Sequence, residues 1–233
     1  MHHAHEYQFV DSEALNNALA VEVARTLRVA IATRGHASLV VSGGRTPVAL
    51  FNRLSLQDLA WRQVTITLAD ERWVEADAPA SNERMVRLEL LRNKAADAYF
   101  IGLKSNADTA ASSAKDVWCK LAQMPRPFDL VLLGMGDDGH TASLFPTSAA
   151  IATALDTSQP PACIAMQAPV APYQRLSLNL AALLETRRIV LHVQGAHKWQ
   201  VYQSARAVGE AAALPIRGVL RQSLVPVDVY WSP

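Results

Sequence analysis

Short apolar runs rich in β-branched residues alternate with segments of helical period along the chain, and this alternation constrains the fold more than any other feature. The runs lie at Ala37 to Val41, Val64 to Leu68, Phe128 to Leu133, Ile189 to Val193 and Val225 to Trp231. Each is predominantly apolar, as strands buried on both faces are. Between them, Ser12 to Ala32, Pro47 to Leu56, Glu83 to Leu91, Asn106 to Leu121, Leu178 to Leu184 and Ala196 to Ala207 carry helical spacing. Strand, helix and strand repeated in this order predict an α/β fold with a mostly parallel sheet covered by helices on both faces. One domain over residues 1–233 is the simplest division, with residues 1–10, including His2, His3 and His5, expected to fray. Ala150 to Arg175, with Pro160, Pro161, Pro169 and Pro172, fits neither period and is expected to cross the sheet as loop and short strand.

Composition excludes several classes of function. With 22 Lys plus Arg against 21 Asp plus Glu the formal net charge is +1, so no bulk field exists for gripping nucleic acid. The 50% hydrophobic content is ample for a core. Cys119 and Cys163 are far apart and form no CxxC pattern, so neither a disulfide framework nor a zinc knuckle is expected, and a reducing compartment fits. No apolar run reaches the length of a membrane span, and the N-terminus lacks the apolar stretch of a secretory signal. The expectation is a cytoplasmic protein with no membrane partner, its oligomeric state open and a monomer compatible.

In open α/β sheets ligands bind beyond the carboxyl ends of the strands, so the segments just after each apolar run carry the chemistry. After Val41 comes Ser42-Gly43-Gly44-Arg45-Thr46-Pro47 and then a helical stretch. Two glycines permit a tight turn that exposes backbone N–H groups, Thr46 is a suitable N-cap, and Pro47 suits a first helical position. Such a turn favours an anion, and Arg45 adds a forked donor matched to phosphate oxygens. The loop lacks the Walker A spacing, and Val40 stands where a nucleophile elbow needs glycine. A tight turn with a solvent-facing Arg is the bland alternative.

After Leu133 comes Gly134-Met135-Gly136-Asp137-Asp138-Gly139-His140-Thr141-Ala142-Ser143-Leu144-Phe145-Pro146. Gly134 to Gly139 matches GxGxxG letter by letter, but two carboxylates would face a pyrophosphate and Pro146 leaves no room for the long helix that a dinucleotide requires. The glycines instead place Asp138 and His140, two residues apart, in the cleft. Imidazole oriented by carboxylate is a general base. His192, within a strand, reads as core, and His36 as solvated.

After Leu68, Asp70-Glu71-Arg72-Trp73 sets acid beside base at a strand end. Asp70 is a candidate for positioning a sugar hydroxyl and Arg72 for stabilising an oxyanion, against the plainer reading of an exposed ion pair beside a packed Trp73. Arg175 precedes the alternating stretch Leu176 to Asn179. Lys198 falls in the first turn of a helix, where a cation is unfavourable unless an anion binds there, which makes it and Arg175 candidates for a phosphate.

Taken together and in this order, SGGRTP at Ser42, DERWV at Asp70, Ser81-Asn82, GMGDDGHTASLFP at Gly134 and GAHK at Gly195 resemble the 6-phosphogluconolactonase family, from about Ser12 to the C-terminus. The resemblance implies a Rossmann-like fold shared with glucosamine-6-phosphate deaminases. It further implies hydrolysis of a sugar-phosphate lactone, 6-phosphogluconolactone, in the oxidative pentose phosphate pathway without cofactor or obligatory metal. It also implies His140 as the base, phosphate contacts from Arg45, Thr46 and Lys198, and a substrate contact from Arg72. The deaminase pattern carries a Glu where Phe145 stands, and an apolar ring cannot shuttle protons for aldose–ketose chemistry. A deaminase and a non-catalytic phosphosugar sensor are the rivals, the sensor disfavoured by the presence of both Asp138 and His140.

Overall fold

The computed structural model describes residues 4–233. Along them run β1 (His5–Gln8), α1 (Ser12–Arg34), β2 (Ala37–Val41), α2 (Val48–Leu54), β3 (Val64–Leu68), β4 (Asp70–Arg72), α3 (Asn82–Glu89), β5 (Tyr99–Ile101) and α4 (Ala110–Leu121). Then follow β6 (Leu130–Leu133), α5 (Ile151–Leu155), β7 (Cys163–Gln167), β8 (Gln174–Leu178), α6 (Leu180–Leu184), β9 (Ile189–Gln194), α7 (Ala196–Arg206), α8 (Ile216–Arg221) and β10 (Val227–Ser232). The main sheet is parallel throughout, in the order β1-β10-β9-β6-β2-β3-β5. This is the Rossmann-like α/β architecture that the alternation predicts.

The strand order locates the site. From β2 the chain steps outward through β3 to β5, then returns to place β6 on the other side of β2 and steps outward again through β9 and β10. β2 and β6 therefore flank the point at which the winding reverses, and the crevice opens above their carboxyl ends. The two glycine-rich loops are the continuations of these two strands.

Burial explains why the runs became strands. Every residue of β2 and β6 is buried, and β9 is buried from Ile189 to Val193. Helix α1 lays Leu15, Leu19, Val23 and Leu27 in one completely buried row, each spaced by four. Removing such a side chain from water contributes about 1.5–3 kcal/mol. Asp11 caps the helix by accepting from Ala14 N–H at 2.8 Å, and Gly35, at φ 76°, ends it in the left-handed conformation.

Three expectations are corrected. His5–Gln8 does not fray: it adds an edge strand in parallel register with β10, Tyr7 stacks on Tyr230 with ring centres 4.7 Å apart, and Glu6 accepts from Tyr202 Oη at 2.8 Å. Its contacts come from the far end of the chain, so no local apolar run announces it. His2 and His3 lie outside the described residues. The Pro-rich stretch does hold a short strand, β7, but also α5, and β7 pairs with β8 and β8 with β4 in a separate small antiparallel sheet, β4-β8-β7. Leu178 ends β8 rather than starting a helix, because Asn179 caps α6 by accepting from Ala182 N–H at 2.9 Å. No described helix is long and apolar enough to cross a membrane.

Candidate active site

A cavity of about 390 Å³ opens above the carboxyl ends of β2 and β6. Its lining brings together Ser42, Gly43, Gly44, Arg45, Thr46, Asp70, Arg72, His140, Arg175 and Lys198, ten of the eleven positions singled out from the sequence. The eleventh, Asp138, lies against His140.

The first wall is the loop after β2. Gly44 adopts φ +96°, and Gly43 sits so close to Asn82 that a Cβ there would fall 1.9 Å from its Oδ1. Asn82 in turn donates to the Asp70 carbonyl at 2.9 Å, which ties the loop to β4 and α3. Thr46, expected as an N-cap, caps nothing: α2 starts beyond Pro47 with no side-chain cap. Arg45 is exposed, and no carboxylate pairs with it among the described residues.

The opposite wall is the loop after β6. Gly136 N–H donates to the His140 carbonyl at 2.9 Å and Gly139 N–H to the Gly136 carbonyl at 3.1 Å, so the loop closes tightly, with Gly139 at φ +74°. A Cβ on Gly136 would meet the His140 ring at 2.1 Å, so glycine is what lets the imidazole lie against the backbone. Asp138 Oδ1 lies 2.5 Å from His140 Nδ1 and also accepts from His140 N–H at 3.1 Å. A carboxylate at that distance holds the proton on Nδ1 and leaves Nε2 as the basic nitrogen. Partial burial raises the Asp138 pKa, but the hydrogen bond and charge of His140 outweigh it, and the carboxyl ends below its ordinary value. Phe145 tilts against the imidazole, ring centres 4.6 Å apart.

Behind these walls the small sheet supplies two of the cations. Arg72 on β4 stands opposite Arg175 on β8 in antiparallel register. Arg72 Nη1 donates to the Ala80 carbonyl at 2.6 Å. Arg175 is only 5% exposed, yet its guanidinium's one hydrogen bond among the described residues goes to the Gln174 carbonyl at 3.4 Å. Burial, and then the charge of Arg72, lower its pKa from the ordinary value. A buried guanidinium without a carboxylate partner is costly unless an anion completes it. Lys198 lies in the first turn of α7, which begins at Gly195 without a side-chain cap. Among the described residues none of these four cations forms an ion pair.

Two acids near the site behave differently from the exposed ion pair that the bland reading expects. Asp70 is buried and accepts from Ser143 Oγ at 2.6 Å, so it braces the loop that carries His140. Glu71 is fully buried and points away from the cavity lining. It accepts from the N–H groups of Arg72, Asn82 and Glu83, each at 2.7 Å, and from Ser81 Oγ at 3.1 Å. Burial raises its pKa against the opposing pull of those bonds. Sequence reasoning passed over Ser143, Ala168 and Val170 as lining residues, and took His192 for core alone. His192 is buried, but it also lines the cavity. The β4–β8 pairing that brings Arg175 beside Arg72 is long-range, and no local pattern marks it.

Comparison with known proteins agrees with this geometry. Residues 10–231 match the family model described as glucosamine-6-phosphate isomerases/6-phosphogluconolactonase. A protein named 6-phosphogluconolactonase from Rhizobium meliloti is 43% identical over 230 residues, covering 99% of both chains. A 6-phosphogluconolactonase crystal structure from Shewanella baltica has a TM-score of 0.95 and 48% identity, covering 99% of this chain and 98% of that one. A monomeric glucosamine-6-phosphate deaminase shares the fold at TM-score 0.80 with 17% identity, over 98% of this chain and 97% of that one. By fold, by the order of its motifs and by identity over nearly its whole length, this chain belongs to the glucosamine-6-phosphate isomerase/6-phosphogluconolactonase family.

Proposed function

We propose that the chain hydrolyses 6-phospho-D-glucono-1,5-lactone to 6-phospho-D-gluconate, the oxidative pentose phosphate step for which its relatives are named. The observation that carries this reading is a His140–Asp138 pair at the wall of a cavity whose four cations lack carboxylate partners among the described residues. In this reading the phosphate is held by Ser42, Gly43, Gly44, Arg45 and Thr46 with Lys198 and Arg175. That remote binding fixes the lactone carbonyl near His140. Nε2 takes a proton from water as the water oxygen attacks the carbonyl carbon, and Asp138 stabilises the imidazolium. Arg72 faces the same space as a donor for the tetrahedral oxyanion, while Asp70 acts through Ser143 by holding the loop. When the intermediate collapses, the bond to the ring oxygen breaks, and that oxygen takes the proton from His140. No cofactor or metal enters this scheme, and the setting is the cytoplasm.

The test is lactone hydrolysis by the purified protein with the spontaneous rate subtracted. Acceleration over the spontaneous rate supports the reading. Binding of the phosphosugar without acceleration would make the protein a sensor.

A further inference from the structure

Among the described residues, five buried side chains carry a nitrogen or oxygen with no hydrogen-bond partner, and two of the five, Ser42 Oγ and His192 Nδ1, belong to residues lining the cavity. Ser42 opens the loop already assigned to phosphate. His192 comes from a different element, the carboxyl end of β9, and is 3% exposed. Its Nε2 lies 3.2 Å from Gln194 Nε2. As placed, the Gln194 amide turns its N–H₂ toward the ring, an orientation that assigns acceptance to Nε2 and the ring proton to Nδ1. In that tautomer Nδ1–H is a buried donor with no acceptor among the described residues.

Such a group destabilises a fold, and a leucine would fill the same strand position without that penalty. Its surroundings indicate which acceptor completes it. Burial, and then the charge of Lys198, bring the His192 pKa down to about 3, so the ring is neutral at any working pH. Lys198 lines the same cavity. Where one cation already stands, a neutral N–H adds a hydrogen bond to an anion without adding charge repulsion. We propose that His192 is a phosphate-reading residue, donating Nδ1–H as a neutral imidazole to a phosphate oxygen of the substrate beside Lys198. This rests on the reading of the cavity as a phosphosugar site.

Binding rather than turnover tests it, so that failure of the lactonase reading stays separate. Affinity for 6-phosphogluconate is measured by calorimetry, and for gluconate by NMR titration. His192→Leu should weaken 6-phosphogluconate by about tenfold or more, the range of a hydrogen bond to a charged group, and gluconate by less than about twofold. His192→Asn, whose amide N–H₂ stands near the position of Nδ1, should recover most of the loss. The melting temperature of ligand-free His192→Leu should equal or exceed that of the wild type, since an unpaired buried donor has been removed. In the wild type, the ¹⁵N resonance of His192 Nδ1 should move on adding 6-phosphogluconate and not on adding gluconate. Equal losses for both ligands, or a resonance indifferent to the phosphate, would overturn the proposal. A wild type that binds 6-phosphogluconate but leaves the lactone untouched would defeat the functional reading alone.

Discussion

His140 depends on two neighbours, Asp138 at 2.5 Å and the ring of Phe145. If it is the base, His140→Ala lowers kcat by roughly 100-fold or more and leaves 6-phosphogluconate affinity largely intact. A kcat near that of the wild type would exclude it. Asp138→Asn should lower kcat by an equal or smaller factor, because the amide cannot stabilise the imidazolium. Arg45→Ala and Lys198→Ala should each weaken 6-phosphogluconate much more than gluconate, and equal losses would remove them from the phosphate site. In the proposed reading, position 145 is where lactone hydrolysis parts from deamination. Wild-type protein should release no ammonia from glucosamine 6-phosphate above background. Phe145→Glu should yield at most a trace, since a carboxyl placed there lacks the supporting contacts that fix it within about 0.5 Å of productive geometry. Deamination by the wild type at a rate comparable to lactone hydrolysis would assign the acid–base work to another carboxylate.

Among the elements, the loop after β6 has a geometry that one methyl group tests. Gly136 is not in the left-handed region, so its backbone accepts alanine, but the new Cβ would meet the His140 ring at 2.1 Å. Gly136→Ala should therefore swing the imidazole away from Asp138 and lower kcat by about tenfold or more, with KM and circular dichroism little changed, as misplacing a catalytic group by about 1 Å can cost 100-fold. An unchanged kcat would mean that the loop yields easily. The same loop is held by other elements of the chain. Ile216 N–H donates to the Gly139 carbonyl at 2.9 Å, Leu214 packs over Gly139, and Asp70 on β4 grips Ser143. His140 thus sits on a loop braced by the small sheet and by the start of α8.

At the scale of the whole molecule, α1 is clamped to the sheet through Glu22, which accepts from Arg25 at 2.7 and 2.8 Å and from Arg188. Arg188 also donates to Asp228 on β10 at 2.5 Å. The hydrogen bonds of Arg25, with those and the charge of Arg188, outweigh partial burial and hold the Glu22 carboxyl at about 2, below its ordinary 4.5. A depressed carboxyl stabilises the fold above its unfolded value, and that contribution is lost as pH falls. Urea unfolding should show stability declining from about pH 4.5 toward pH 2, and Glu22→Gln should flatten the decline over that window. Glu22 is partly exposed, so the difference should shrink at high salt. Identical pH slopes for the two proteins would show that the clamp adds nothing to acid stability.

Local chemistry alone determined much of this protein. Short apolar runs rich in β-branched residues suit buried strands, so the central strands were legible, with β2 and β3 correct to the residue. The glycine loops were legible because a tight turn and a close approach demand glycine at particular places, and because Asp138 and His140 lie two residues apart in sequence as in space. Tertiary structure decided what depends on distant partners. β1 exists because β10 offers it an edge, and β4, three charged residues long, does not declare itself before it pairs with β8. That pairing stands Arg175 beside Arg72, and the reversal of winding between β2 and β6 converts two separate loops into facing walls. His192 shows the limit most plainly: its sequence context marks it correctly as buried, but only the fold leaves its Nδ1 without a partner among the described residues at the cavity. Periodicity reports which face of an element meets apolar surroundings, whereas a binding site is made of groups whose partners come from elsewhere in the chain.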